Sequence, residues 1–563
     1  MRDARWLGRG SLALACALTL PAPAVAQFTE PPAPAAYALS GVTVVYADGR
    51  QATDQTVLVR GDFIEAIGPG ASVPGDAQLL EGDSLYVYPG LVDANGTVKF
   101  EFVQDSIDRS TVESWNPPRQ LQGFMPSRRV VDALEATGED GAAQRKKGIV
   151  AVAVHPSNAL MAGQGTLLLL RRDAERPAEL VLDPALGASL SFRGGRGTYP
   201  GTLFGAIAWL RQTFMDTQRR GQLIQAANRD PRGITRPSFD PDYMAVQQIL
   251  AGESDVYFAA NDVEDIRRVL RLADEFGFRP VIVGGAEAWL IADELEARGV
   301  PVLVSLDFPK PRRWKPDAKP DSAATEPPAP AAAREQRELE AVYANAGRLI
   351  RAGVQVALTS GEGRADLREG ARKVIEYGLG EADALRALTT TPAALLGAPN
   401  LVRVEAGFPA NLVVSDGPLF EEDTRIVYTF VEGALEKGAA PGARGNAVAA
   451  DGAAGAAAAV AGTWQIELNM GGETRTGTMR LSAEGDTFTG TLETPDVGTV
   501  SIFGGSLTGD ALTFRGTVDA DGETITIDFA GTLEGETARG TATGPFGTLD
   551  WTATRTSPGG DRP

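Results

Sequence analysis

The sequence predicts an α/β chain: a barrel of alternating strands and helices, hairpin strands on either side of it, and a separate all-β unit behind. Three observations lead there. Between about residues 91 and 397, strand-like runs alternate with helix-like runs, the pattern of a parallel sheet with helical crossovers. On both flanks, short β-branched runs are broken by Gly and Asp. Past an Ala/Gly-rich stretch, the composition turns to a Thr-rich repeat.

The elements follow in order. Arg2, Arg5 and Arg9, the apolar run 11–20 and the small residues Ala24-Val25-Ala26 read as an export signal cleaved after Ala26 (residues 1–26), which predicts a periplasmic or secreted protein. That run is too short for a stable membrane span, which takes about 20 residues. A Pro/Ala-rich lead-in comes next. Strands are expected at 42–46, 56–60 and 63–67. Eight barrel strands are expected at 91–97, 149–154, 166–170, 180–182, 256–260, 280–284, 302–306 and 354–359. Eight is the number a (β/α)8 barrel closes with. The clearest helix is 262–276, where Val263, Ile266, Val269, Leu270, Ala273 and Phe276 share a face and Gly277 follows as a stop. Segments 287–298 and 334–352 behave similarly. Residues 310–333, rich in Pro, Ala and charge, read as an exposed insertion on the loop face.

Residues 437–461 read as an Ala/Gly linker. Beyond, 462–556 repeats Gly-Thr: Gly477-Thr478, Gly490-Thr491, Gly516-Thr517, Gly531-Thr532, Gly540-Thr541 and Gly547-Thr548. With turn signals between, this predicts an antiparallel meander of about seven or eight strands, a sandwich or up-and-down barrel. Trp464 and Trp551 stand where they can close its two ends against each other.

Composition narrows the function. A length of 563 residues predicts roughly two to four units. A formal charge of −20 argues against nucleic acid or anionic membranes as partners. The only cysteine, Cys16, lies in the signal, with Ala13 where a lipoprotein box has Leu; an exported chain then has no thiol for disulfide, metal or nucleophile chemistry. Arg193-Gly194-Gly195-Arg196-Gly197 lacks the Gly-Lys-Ser/Thr ending of a phosphate loop. No Gly-x-Ser-x-Gly elbow accompanies the single histidine, His155.

One motif carries a resemblance. Pro89-Gly90-Leu91-Val92-Asp93-Ala94-Asn95-Gly96-Thr97 resembles the first barrel strand of the amidohydrolase superfamily, which reads Pro-Gly-Leu-hydrophobic-Asp-x-His-x-His. Supporting stretches are 148–156 with Gly163-Gln164-Gly165, as in imidazolonepropionase-like amidohydrolases, then 259–266 with 281–285, and 384–397. The resemblance spans about residues 37–436. It implies a composite β-sandwich from 37–90 and 398–436 around a barrel at 91–397. The family usually has Asp where this chain has Asn411.

The resemblance also implies a divalent metal, usually zinc, held by histidines at strand ends, where it makes hydroxide from bound water. The histidine positions fall on Asn95, Thr97, Ala259 and, on or beside it, Gly284; the family's general-base Asp falls on Gly361. No metal ligand and no cofactor is therefore expected here. Candidate catalytic residues are His155, equally readable as a hydrogen-bonded residue at the mouth, and Glu362, equally readable as a solvated loop acid. Asp93, Asn95, Thr97 and Asn261 are candidates for binding a small polar molecule, although Asp93 reads more plainly as a structural hydrogen-bonding residue and Asn261 as the cap of the following helix. The expectation is an exported pseudoenzyme that binds or scaffolds. The alternatives are a hydrolase of non-peptide carbon–nitrogen bonds rebuilt around His155, Glu362, Asp93 or Glu287, and a protein whose role rests in its C-terminal unit.

Overall fold

The computed structural model describes residues 36–438 and 460–558, apart from 81–84, 104–105, 195–198, 310–328, 471–472, 485–486, 495–497, 509–510, 521–522 and 545–546. The export signal, nearly all of the Ala/Gly stretch and most of the 310–333 insertion lie outside the described residues; from Ala329 the insertion is already helix (Ala329–Tyr343). The chain divides into two units, Met1–Pro441 and Gly442–Pro563.

The first unit begins with β1 (Ala36–Val45), β2 (Gln51–Arg60), β3 (Phe63–Gly68), β4 (Ala77–Leu79) and β5 (Tyr86–Pro89). They share one eight-stranded sheet with three strands from the far end of the unit, β16 (Leu412–Ser415), β17 (Ile426–Val431) and β18 (Ala434–Lys437). The seam is antiparallel, Val414 opposite Val87. Leu39, Val44, Val57, Ile64, Val87, Leu412, Val427 and Phe430 fill its core. The departure at Asn411 has a physical reason. Its Nδ2 donates to Leu401 O at 2.8 Å while its Oδ1 accepts from Glu432 N at 2.7 Å. A carboxylate can only accept.

Between these halves run β6 (Leu91–Gly96), β7 (Ile149–Val154), β8 (Met161–Gln164), β9 (Thr166–Leu169), β10 (Val181–Asp183), β11 (Ala188–Ser191), β12 (Val256–Ala260), β13 (Pro280–Gly284), β14 (Val302–Ser305) and β15 (Val356–Thr359). They form two sheets, β10-β9-β7-β6 and β15-β14-β13-β12-β11-β8. β6 and β7 are parallel, as are β11 through β15. One expected parallel strand is corrected: β9 runs antiparallel to β7, and β10, antiparallel to β9, returns to the sense of β7. The parallel strand beside β12 is instead Ala188–Ser191, unmarked in the sequence by β-branched residues. Gly165 alone separates β8 from β9, so one bent strand passes from the second sheet to the first. Among the described residues no ladder joins β6 to β15.

Phe258, Ile282 and Val302 pack with Ile266, Val269 and Leu270 of the helix Val263–Phe276. The intervening residues Tyr257, Val281, Leu303 and Ala357 face the other way, into a second cluster with Ala94 and Ala153. This is the inner face of the sheet, and it positions the site.

The second unit is a closed barrel of eight antiparallel strands, β19 (Gly462–Met470), β20 (Glu473–Glu484), β21 (Thr487–Thr494), β22 (Gly498–Thr508), β23 (Ala511–Ala520), β24 (Glu523–Glu534), β25 (Thr537–Gly544) and β26 (Gly547–Pro558). β19 pairs with β26, Leu468 opposite Trp551. Alternation explains the Gly-Thr theme. On β21 and β24 the glycines share the inward parity of Phe488, Leu492, Phe529 and Leu533, and the threonines face out. A Cβ at Gly531 would lie 2.8 Å from the Trp551 ring and one at Gly516 2.6 Å from Val500. Small residues thus make room for Trp464, Phe514 and Trp551 in a filled interior.

Candidate functional site

β6 buries all of its residues. Asp93, 2% exposed, has its carboxylate fully engaged. Oδ1 accepts from Asn95 N at 3.2 Å and Ser360 N at 3.1 Å, and Oδ2 accepts from the Ser360 hydroxyl at 2.5 Å. The Ser360 hydroxyl oxygen accepts from Gly363 N at 2.8 Å. Asn95 O accepts from Glu362 N at 2.7 Å. These bonds fasten β6 to the end of β15 where the ladder does not. Burial pushes the Asp93 carboxyl above its usual range, and the Ser360 and Asn95 donors work against that push. The carboxylate thus joins the end of β6 to the segment after β15. Gly96 is required beside it, since a Cβ there would lie 2.5 Å from Asp93 Oδ2.

His155 follows β7 and is 8% exposed. It is an inner residue, not one of an open mouth. Nε2 stands 3.2 Å from Ala94 O, so the proton sits on Nε2 and is donated to that carbonyl. The ring lies against Tyr257 of β12, centroids 4.2 Å apart at 33°. Nδ1 has no partner among the described residues. Gly165 abuts it; a Cβ there would lie 2.7 Å from Nδ1. Burial lowers the imidazole pKa to about 4, against the bond to Ala94. At neutral pH the ring is uncharged.

The five positions that the resemblance assigns to metal-holding or general-base side chains carry no zinc ligand. Asn95 is 5% exposed and Thr97 is exposed, its carbonyl taken by Gln144 Nε2 at 2.7 Å. Ala259 is exposed and shares the parity of Tyr257. Gly284 has φ +97° and Gly361 φ +64°. A Cβ at Gly284 would lie 2.3 Å from Asn261 Oδ1, and one at Gly361 2.4 Å from Ser305 Oγ. An amide, a hydroxyl, a methyl and two glycines do not suit zinc, which takes imidazole, thiolate or carboxylate. Among the described residues no three His, Cys, Asp or Glu side chains are grouped to hold a metal ion.

Asn261 is not the helix cap. The N-cap of Val263–Phe276 is Asp262, whose side chain makes no cap bond; Glu287 reaches in instead, its Oε2 accepting from Val263 N at 3.0 Å. Burial, and then the nearby Asp265 and Glu287 charges, raise the Asp262 pKa. Asn261 lies exposed beside Gly284.

Glu362 sits in a run of three left-handed residues, Gly361, Glu362 and Gly363, at φ +64°, +64° and +81°. Its carboxylate accepts from Arg364 Nη1 at 2.9 Å, and Arg364 Nε donates to Asp307 Oδ2 at 2.7 Å. The structure thus groups Asp93, Asn95 and Glu362 around the β6–β15 joint. His155 lies behind Ala94, and Asn261 stands apart at the end of β12. Sequence reasoning reached the stretch 358–362 but missed the bond from Ser360 to Asp93, 267 residues away, and missed Tyr257 and Arg364.

No protein-family profile matches this chain, and no curated protein matches it. Solved structures do. An amidohydrolase from Thermotoga maritima is 21% identical, with a TM-score of 0.57, over 71% of this chain and 99% of that one. A prolidase complexed with N-methylphosphonate-L-proline is 18% identical over 72% of this chain and 100% of its own, at a TM-score of 0.42. The ochratoxinase of A. niger is 15% identical over 72% and 96%, at 0.37. The first likeness is one of fold: the first unit has the amidohydrolase fold.

Proposed function

We propose that this amidohydrolase-fold chain is an exported pseudoenzyme: a (β/α)8-type barrel without a catalytic metal that binds a small polar molecule or serves as a scaffold. One observation carries the reading. Where the fold's histidines and aspartate are expected stand Asn95, Thr97, Ala259, Gly284 and Gly361, and side chains already fill the space beside both glycines. Asn95, Thr97 and Asn261 leave neutral donors and acceptors at the strand ends. Export rests on the signal-like residues 1–26 alone. The competing reading, a carbon–nitrogen hydrolase rebuilt around Glu362 and His155, requires Glu362 to leave Arg364 and a substrate to reach a histidine ring that is 8% exposed. Metal analysis by mass spectrometry, on protein purified without chelator, tests the proposal. Less than a tenth of an equivalent of zinc, manganese, iron or cobalt is expected; a full equivalent overturns it.

A further inference from the structure

We propose that side chains now do the tying that a cation does in the amidohydrolase fold: His155 is a fixed strut from the first barrel strand to the middle one, and Asp93 is the clasp from the first to the last. This rests on the metal-free reading above.

The strand ends that a metal would draw together are those of β6, β12, β13 and β15. Side chains sit at the junctions of β6 with β12, β12 with β13, β14 with β15 and β15 with β6. His155 spans β6 to β12, its Nε2 on Ala94 O at 3.2 Å and its ring against Tyr257 at 4.2 Å. Asn261, just past β12, fills the place of a Cβ on Gly284 of β13. Ser305, at the end of β14, fills the place of one on Gly361, past β15. Asp93 closes the circuit to Ser360 with three accepted hydrogen bonds, two from Ser360 and one from Asn95.

His155 is held in place by Nε2, which donates to Ala94 O, while Nδ1 faces Gly165, where an added Cβ would come within 2.7 Å of it.

Thermal unfolding of the full chain, with EDTA or with added zinc or manganese, gives one test. A histidine spectrum of the ¹³C,¹⁵N-histidine-labelled protein gives another, and one histidine makes it a single-site probe. The wild-type midpoint is expected to ignore both chelator and metal. His155→Ala should lower the first unit's midpoint by about 5 °C, and Gly165→Ala should lower it by less. The wild-type ring should remain the neutral Nε2–H tautomer from pH 8 to pH 5. A midpoint that falls with EDTA overturns both this inference and the metal-free reading. A midpoint indifferent to EDTA, with either an unchanged His155→Ala midpoint or a ring titrating near 6.5, overturns the strut alone. Should His155→Ala fail to fold, the wild-type spectrum decides.

Discussion

The two units close their strands by different means. In the second, β19 meets β26 along a full antiparallel ladder, and the interior is Trp, Phe, Leu and Gly. In the first, β6 meets β15 through Asp93, Ser360, Asn95 O and Glu362 N, and the buried residues there include Asp93, Asn95, His155 and Ser360. Backbone closure leaves the interior free to be apolar. Side-chain closure puts polar groups inside, each of which must be satisfied or be costly. The second unit should therefore respond to lost volume, and the first to lost hydrogen bonds and to pH.

The largest effect should come from Trp551→Ala. Its ring is fully buried against Phe514 and Phe529, and its loss should destabilise the second unit by about 4 kcal/mol in urea unfolding. The first unit's transition should not move; if it does, the contrast is wrong.

Acidification sharpens the other side. The folded pKa of His155, about 4, lies below its ordinary 6.5. Its neutral form is thus preferred in the folded state, so its contribution is complete above 6.5 and lost as pH falls toward 4. The first unit should lose about 3 kcal/mol across that window. Asp93, whose pKa is raised, works in the opposite sense. Comparison with His155→Gln isolates the histidine: the variant should lack this part of the pH dependence.

Asp93→Asn keeps the shape but replaces one acceptor oxygen with a donor. It should cost about 2 kcal/mol, read by chemical unfolding, with no change in the second unit. Smallest is Glu362→Gly. Relief of the left-handed backbone should stabilise by about 1 kcal/mol, since the exposed pair with Arg364 is worth less than that. A loss of stability would mean that Glu362 holds the joint through its side chain.

Much of this fold is legible in the sequence. The runs 149–154, 256–260 and 280–284 are strands with the expected bounds, and the apolar stripe beginning at Val263 is the expected helix. Strand direction was not legible, because the apolar run of β9 reads alike either way along the sheet. Ala188–Ser191 was missed because Ala-Ser-Leu-Ser is short and has no β-branched or aromatic residue to mark it. At the site, the departures from the motif at Asn95 and Thr97 were plain. The contacts around them were not. Ser360, Ser305 and Tyr257 are ordinary residues far along the chain, and only folding brings them to Asp93, Gly361 and His155. Asn261 looked like a cap because Asn suits caps; Glu287, arriving from another strand end, had no sequence signal.

The two glycines at the ends of β13 and β15 also bear on how this chain can change. A histidine at Gly284, or an aspartate at Gly361, would drive a new Cβ into Asn261 or Ser305 and place it on left-handed backbone. A side chain gained at either place thus calls for a paired change, with the neighbour yielding first. Two absent methyl groups make these strand ends tolerant of double replacements and hostile to single ones.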